Sequence, residues 1–152
     1  MADNYLQTSF VVKNLTNKEI KWLNVKLAED PSEIYGDDLI AWNKEWELED
    51  AMAGWGFDTE INPKEKTLWC FGEEYVNVQH LGAFLNHFLR VFRENDTITF
   101  TYSYTCSKLR LEEFGGGCVV ITADDLRILD SVDIPRILKL TQTCRELLGA
   151  MP

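Results

Sequence analysis

No run of lysine or arginine occurs anywhere in this chain, and its pI is about 4.6. A protein that grips a nucleic-acid backbone needs a basic patch, so direct nucleic-acid binding is not expected. Long apolar stretches are missing too: nothing approaches the ~18 to 20 continuous apolar residues of a membrane span. The first residues, Met1 to Leu6, lack the basic and apolar regions of a secretory signal. The expected location is therefore the cytoplasm, without a membrane partner. Cysteine is scarce and scattered. Cys70, Cys106, Cys118 and Cys144 form no C-x-x-C pair and have no histidine at zinc-ligand spacing. Each sits in an apolar or strand-like setting and is expected to be a reduced structural thiol, although an even count leaves disulfides formally open.

Catalytic signatures are equally absent. There is no G-x-S-x-G, H-E-x-x-H or Walker sequence, and Asp124-Asp125 lacks the glycine and alternating ligands of an EF-hand. His80 and His87 are seven residues apart on one expected helix, a rise of about 10.5 Å, too far to share one ion. No catalytic residue, metal site or cofactor is expected.

What the chain has is charge in one place. Of its 15 basic and 25 acidic side chains, the stretch from Glu29 to Glu60 holds eleven carboxylates and a single base, Lys44. That stretch is thus −10, equal to the net charge of the whole chain, and the remaining residues balance at fourteen against fourteen. The same stretch contains Tyr35, Trp42, Trp46, Trp55 and Phe57. A carboxylate field beside aromatic rings suits a surface that attracts a basic protein partner and anchors it.

The 152 residues, 45% of them hydrophobic, fit one domain spanning residues 1–152, with an acidic, tryptophan-bearing insert at 29–56. A chain of this length buries roughly two thirds of its unfolded surface and needs no metal or disulfide to fold. Thr8 to Val12 reads as a strand. Thr16-Asn-Lys-Glu19 is a capping box, with Leu15 and Ile20 at staple spacing. It opens a helix over 17–28 that shows Ile20, Leu23 and Leu27 on one face. Within the acidic segment, Asp38 suits the cap of a helix carrying Leu39, Trp42 and Trp46. The run Trp46, Leu48 and Asp50 fits an extended piece as well. Phe57, Thr59 and Ile61 alternate with acidic residues, Asn62-Pro63-Lys64-Glu65 is turn chemistry, and Thr67 to Phe71 returns as the second strand of a hairpin.

Val78, Leu81, Leu85, Phe88 and Phe92 mark an amphipathic helix ending before Asn95-Asp96. From Thr97 to Cys106, apolar Ile98, Phe100, Tyr102, Tyr104 and Cys106 alternate with hydroxyl residues. That is a strand with one face on a core. After a loop through Gly117, Cys118 to Thr122 reads as another strand, and Leu126 to Leu129 extends the sheet. Asp133 and Pro135 open a final helix that Gly149 caps. The expected class is α+β: an antiparallel sheet with helices packed on one face. Its element order matches a ferredoxin-like split βαβ variant with an additional strand and a C-terminal helix.

The loop Cys106 to Gly117 is the second candidate site. Three consecutive glycines permit close backbone approach. Lys108 and Arg110 suit an anion, and Glu112 and Glu113 suit accepting protons or pairing with them. A phosphate loop should open onto a helix N-terminus, whereas this one leads into a strand, so a β-connection with a local Arg–Glu pair explains the residues as well. The run Cys106-Ser107-Lys108, Arg110, Glu113-Phe114-Gly115-Gly116-Gly117 and Ile121-Thr122 resembles a segment of small uncharacterised proteins from bacteria, phages and plasmids. The resemblance covers chiefly residues 97 to 125, with weaker support from the capped helix at Thr16. It implies no established activity, and it implies a setting of conflict between phage and host or toxin and immunity. The acidic segment is not part of that pattern.

Three functions compete. The first is a non-enzymatic module that neutralises a basic partner, a nuclease or other nucleic-acid-binding protein, as an immunity or anti-defence inhibitor does. Asp37, Asp38, Glu45, Glu47, Glu49 and Asp50 would steer the encounter, and Trp42, Trp46 and Trp55 would anchor it. The alternative is a small-molecule or anion binder, or an enzyme, centred on Lys108, Arg110, Glu113, Gly115, Gly116 and Gly117. The third is a structural subunit that self-associates through the threonine face of residues 97 to 105.

Overall fold

A computed structural model describes residues 4–29, 55–108 and 114–131, together with the helical positions Gln142, Glu146 and Gly149. Its elements in chain order are β1 (Asn4–Val12), α1 (Asn17–Ala28), β2 (Asp58–Asn62), β3 (Thr67–Gly72), α2 (Val78–Phe92), β4 (Ile98–Cys106), β5 (Gly115–Ile121) and β6 (Leu126–Asp130). The strands form one six-stranded sheet in the order β2-β3-β1-β4-β5-β6, every neighbour antiparallel. The protein is α+β. β3 lies between β1 and β2, which α1 connects in sequence, and β1 lies between β3 and β4, which α2 connects.

Local chemistry starts each element. Thr16 accepts from the Glu19 amide at 3.1 Å while Glu19 accepts from the Thr16 amide at 2.9 Å, closing both halves of the capping box. The observed α1 has the expected bounds. Asn77 caps α2 by accepting from the His80 amide at 3.0 Å. In the β2–β3 hairpin, Asn62 Oδ1 accepts from the Lys64 and Glu65 amides, both at 3.0 Å. Lys66 then closes the turn at φ 54.

Both helices contribute to one core. Leu23 of α1 and Leu81, Phe84, Leu85, Phe88 and Leu89 of α2 pack with Val12, Leu68, Cys70, Phe100, Tyr102, Val119 and Ile121 of the sheet. The sheet residues in that cluster are those of one register on each strand, as the alternation in β4 requires. Trp22 joins the helices, its ring T-shaped to Phe92 at 5.5 Å and stacked on His87 at 5.4 Å.

Several expectations are corrected. β1 begins at Asn4, four residues before the expected strand, because Asn4 to Gln7 pair with Ser103 to Cys106. Cys118 to Thr122 and Leu126 to Leu129 both join the sheet, as β5 and β6, so two strands are added to the expected order and not one. β5 begins at Gly115, so the glycine triplet is strand and not loop. Gly149, expected as a cap, is itself helical. The helix and extended alternatives for the acidic segment lie outside the described residues, as does most of the final helix. Among the described residues, no helix is long and apolar enough to cross a membrane.

Candidate functional site

Of the residues expected to meet a basic partner, Asp37, Asp38, Trp42, Glu45, Trp46, Glu47, Glu49 and Asp50 lie outside the described residues. Trp55 is described, and it is half-buried. Its ring meets Phe84 edge-on at 5.1 Å and Phe57 at 5.8 Å. Its indole N–H donates to the Leu27 carbonyl at 3.3 Å, at the C-terminal end of α1 where carbonyls lack helical partners. This bond fastens the two borders of the acidic segment to each other. Leu27 and Trp55, on either side of residues 30–54 in the chain, are therefore neighbours in space.

The second candidate is rebuilt by the sheet. Arg110 and Glu113 lie outside the described residues, and Lys108 follows the end of β4. Gly115, Gly116 and Gly117 sit opposite Tyr104, Ser103 and Tyr102 in the β4–β5 pair. An added Cβ at Gly115 or Gly117 would fall closer than 3.0 Å to the Tyr104 or Tyr102 ring, and one at Gly116 closer than that to the Tyr102 carbonyl. The glycines are seats for two tyrosines that cross β5 toward β6, the pairing by which an aromatic covers a strand glycine. Tyr102 Oη donates to Asp130, and Tyr104 Oη lies 2.7 Å from Ser131 Oγ and 3.3 Å from Asp130. The triplet pairs within the sheet and the Gly116 amide donates to Ser131 Oγ at 3.3 Å, so it does not present the row of free amides that a phosphate cradle requires.

Glu19, His80 and Cys70 are buried ionisable groups whose pKa the fold displaces. Glu19 is almost fully buried; burial pushes its carboxyl up, but hydrogen bonds from Arg93 and Thr16 outweigh that and hold it below the usual value of 4.5. Arg93 Nε reaches Glu19 at 2.7 Å, and its other nitrogen donates to the Lys13 and Asn14 carbonyls at 3.1 and 3.0 Å. One guanidinium thus ties the end of α2 to the β1–α1 turn. His80 is 7% exposed, its Nε2 has no hydrogen-bond partner, and burial lowers its pKa from 6.5. Cys70, Cys106 and Cys118 are free, and burial pushes the Cys70 thiol up to about 12. Among the described residues, no group of three His, Cys, Asp or Glu side chains is placed to hold a metal ion.

Sequence reasoning missed a trough of about 540 Å³ on the sheet face opposite α1 and α2. Its floor is β1, where Gln7 and Ser9 are small or flexible. One wall is Trp69 and Phe71 of β3, stacked at 3.9 Å, and the other is Thr101 and Ser103 of β4. The Trp69 indole N–H donates to Ser9 Oγ at 2.9 Å, which fixes the ring's position. The signal lay in the alternation: Trp69 and Phe71 are out of phase with buried Leu68 and Cys70, as Thr101 and Ser103 are with Phe100 and Tyr102. Knowing that β1 separates β3 from β4 is what joins the two rows.

Comparison of the chain with protein-family models, curated proteins and solved structures finds no match.

Proposed function

We propose that this protein is a cytoplasmic, non-enzymatic binding module that neutralises a basic protein partner through its acidic segment, in the manner of an immunity or anti-defence inhibitor. The observation that carries the reading is the confinement of the entire net charge of −10 to residues 29–60. A field of that density accelerates encounter with a cationic surface. Support comes from the Trp55–Leu27 bond, which holds both borders of the segment on the fold. The resemblance of residues 97–125 to small phage and plasmid proteins agrees with such a setting. The strand order β2-β3-β1-β4, with α1 and α2 as the two crossovers, supports a ferredoxin-like split βαβ arrangement extended by β5 and β6 at the β4 edge.

The test compares the wild-type chain with a variant carrying Glu45→Gln, Glu47→Gln, Glu49→Gln and Asp50→Asn, each used to capture partners from the native host at low and high salt. A basic protein held by wild type at low salt, released at high salt and bound by the variant with a slower on-rate is the expected outcome. Equal association rates for the two chains would refute steering.

A further inference from the structure

We propose that the trough on the sheet face opposite α1 and α2 binds a neutral carbohydrate, an oligosaccharide whose sugar ring lies against the Trp69–Phe71 stack. None of its described lining residues comes from the acidic segment. Its chemistry selects the ligand class by exclusion and by fit. Among the described residues no cation lines the trough, while Glu73 places a carboxylate at its end, so a phosphate-bearing ligand meets repulsion and no counter-charge. A quaternary ammonium wants rings that enclose it, but Trp69 and Phe71 are parallel within 23° and spend one face each on the other. A second copy of this chain would bring the same hollow against the hollow, because a two-fold contact pairs a patch with itself. What remains is a neutral ring with an apolar face and a polar rim.

That ligand matches the lining. An outer aromatic face offers a flat apolar surface at the position of Trp69, which is 38% exposed. Across the floor stand the side chains of Gln7, Ser9, Thr101 and Ser103, all exposed, with Glu73 as an acceptor at one end. Ser9 Oγ already accepts from the indole and keeps its own proton to donate. The volume, about 540 Å³, falls in the range of small-ligand pockets, roughly 300 to 1,000 Å³. One aromatic wall facing a row of hydroxyls gives the trough both the apolar surface and the polar groups that such sites combine.

The experiment titrates the 15N-labelled full chain with cellotriose, chitotriose and maltotriose, and separately with adenosine, following the Trp69 indole and Ser103 amide signals by NMR. At least one trisaccharide is expected to give saturable shifts at both signals with a dissociation constant of roughly 1 mM. Trp69→Ala, followed at Ser103, is expected to bind about tenfold more weakly or worse. The double variant Thr101→Val and Ser103→Ala leaves the aromatic wall intact, and followed at the Trp69 indole it should also lose affinity. Lys64→Ala, in the β2–β3 turn and outside the trough lining, should bind as wild type. Three results would each overturn the proposal. They are no saturable shift with any of the three sugars, undiminished binding by both wall variants, or saturable shifts with adenosine alone.

Discussion

Single ionisable residues set how this protein responds to acid. His80 is neutral in the fold because burial disfavours its charged form, so its folded pKa lies below 6.5. The unfolded chain then binds the extra proton first, and stability is full above pH 6.5 and falls as pH drops below it. Glu19 acts lower on the scale. Its folded pKa lies below 4.5, so its contribution is complete above that value and is lost as pH falls further. Urea midpoints measured from pH 8 to pH 3 are expected to decline in two stages, and His80→Leu should flatten the upper stage while leaving the lower. Glu19→Gln removes the charge partner of Arg93 but leaves that guanidinium its Lys13 and Asn14 carbonyls. The expected loss is therefore about 2 kcal/mol, that of hydrogen bonds to a charged group, and not the larger cost of stranding a buried ion. Cys70, with its thiol held near 12, should resist alkylation until the protein unfolds, which peptide mapping after iodoacetamide treatment would show.

Elements behave according to how local their determinants are. The α1 bounds were legible because a capping box satisfies backbone donors within four residues, and α2 was legible because its apolar side repeats at helical spacing. β5 was misread because three glycines look like a turn until Tyr102 and Tyr104 are seen lying over them. Gly117→Ala tests that account. In an ordinary strand alanine would gain up to about 1 kcal/mol over glycine. Here its Cβ meets the Leu129 carbonyl and the Tyr102 ring, and a net loss of about 2 kcal/mol is expected from thermal melts. The β2–β3 hairpin makes the opposite prediction. Lys66 sits at φ 54, a left-handed conformation that strains a residue with a side chain. Lys66→Gly relieves that strain but loosens the unfolded chain, and a gain of up to about 1 kcal/mol is expected.

At the scale of the whole molecule, charge and topology are separate stories. Eleven carboxylates in the stretch 29–60 repel one another whatever fold carries them. Raising sodium chloride from about 10 to about 200 mM shortens the Debye length from roughly 30 Å to below 10 Å. The melting temperature should rise over that range. The chain with Glu45, Glu47, Glu49 and Asp50 neutralised should rise less, as calorimetry would record.

The sequence by itself determined the charge map, the starts and faces of both described helices and the alternation of the strands, since each depends on neighbours within a few residues. Only the tertiary structure decided the rest. Trp55 came to bond Leu27, Arg93 to hold Glu19, and Trp69 to face Thr101 across β1. These partners are 28, 74 and 32 residues apart in the chain. The cause is the sheet order, in which β1 separates β3 from β4, and no local pattern encodes which strands will lie side by side.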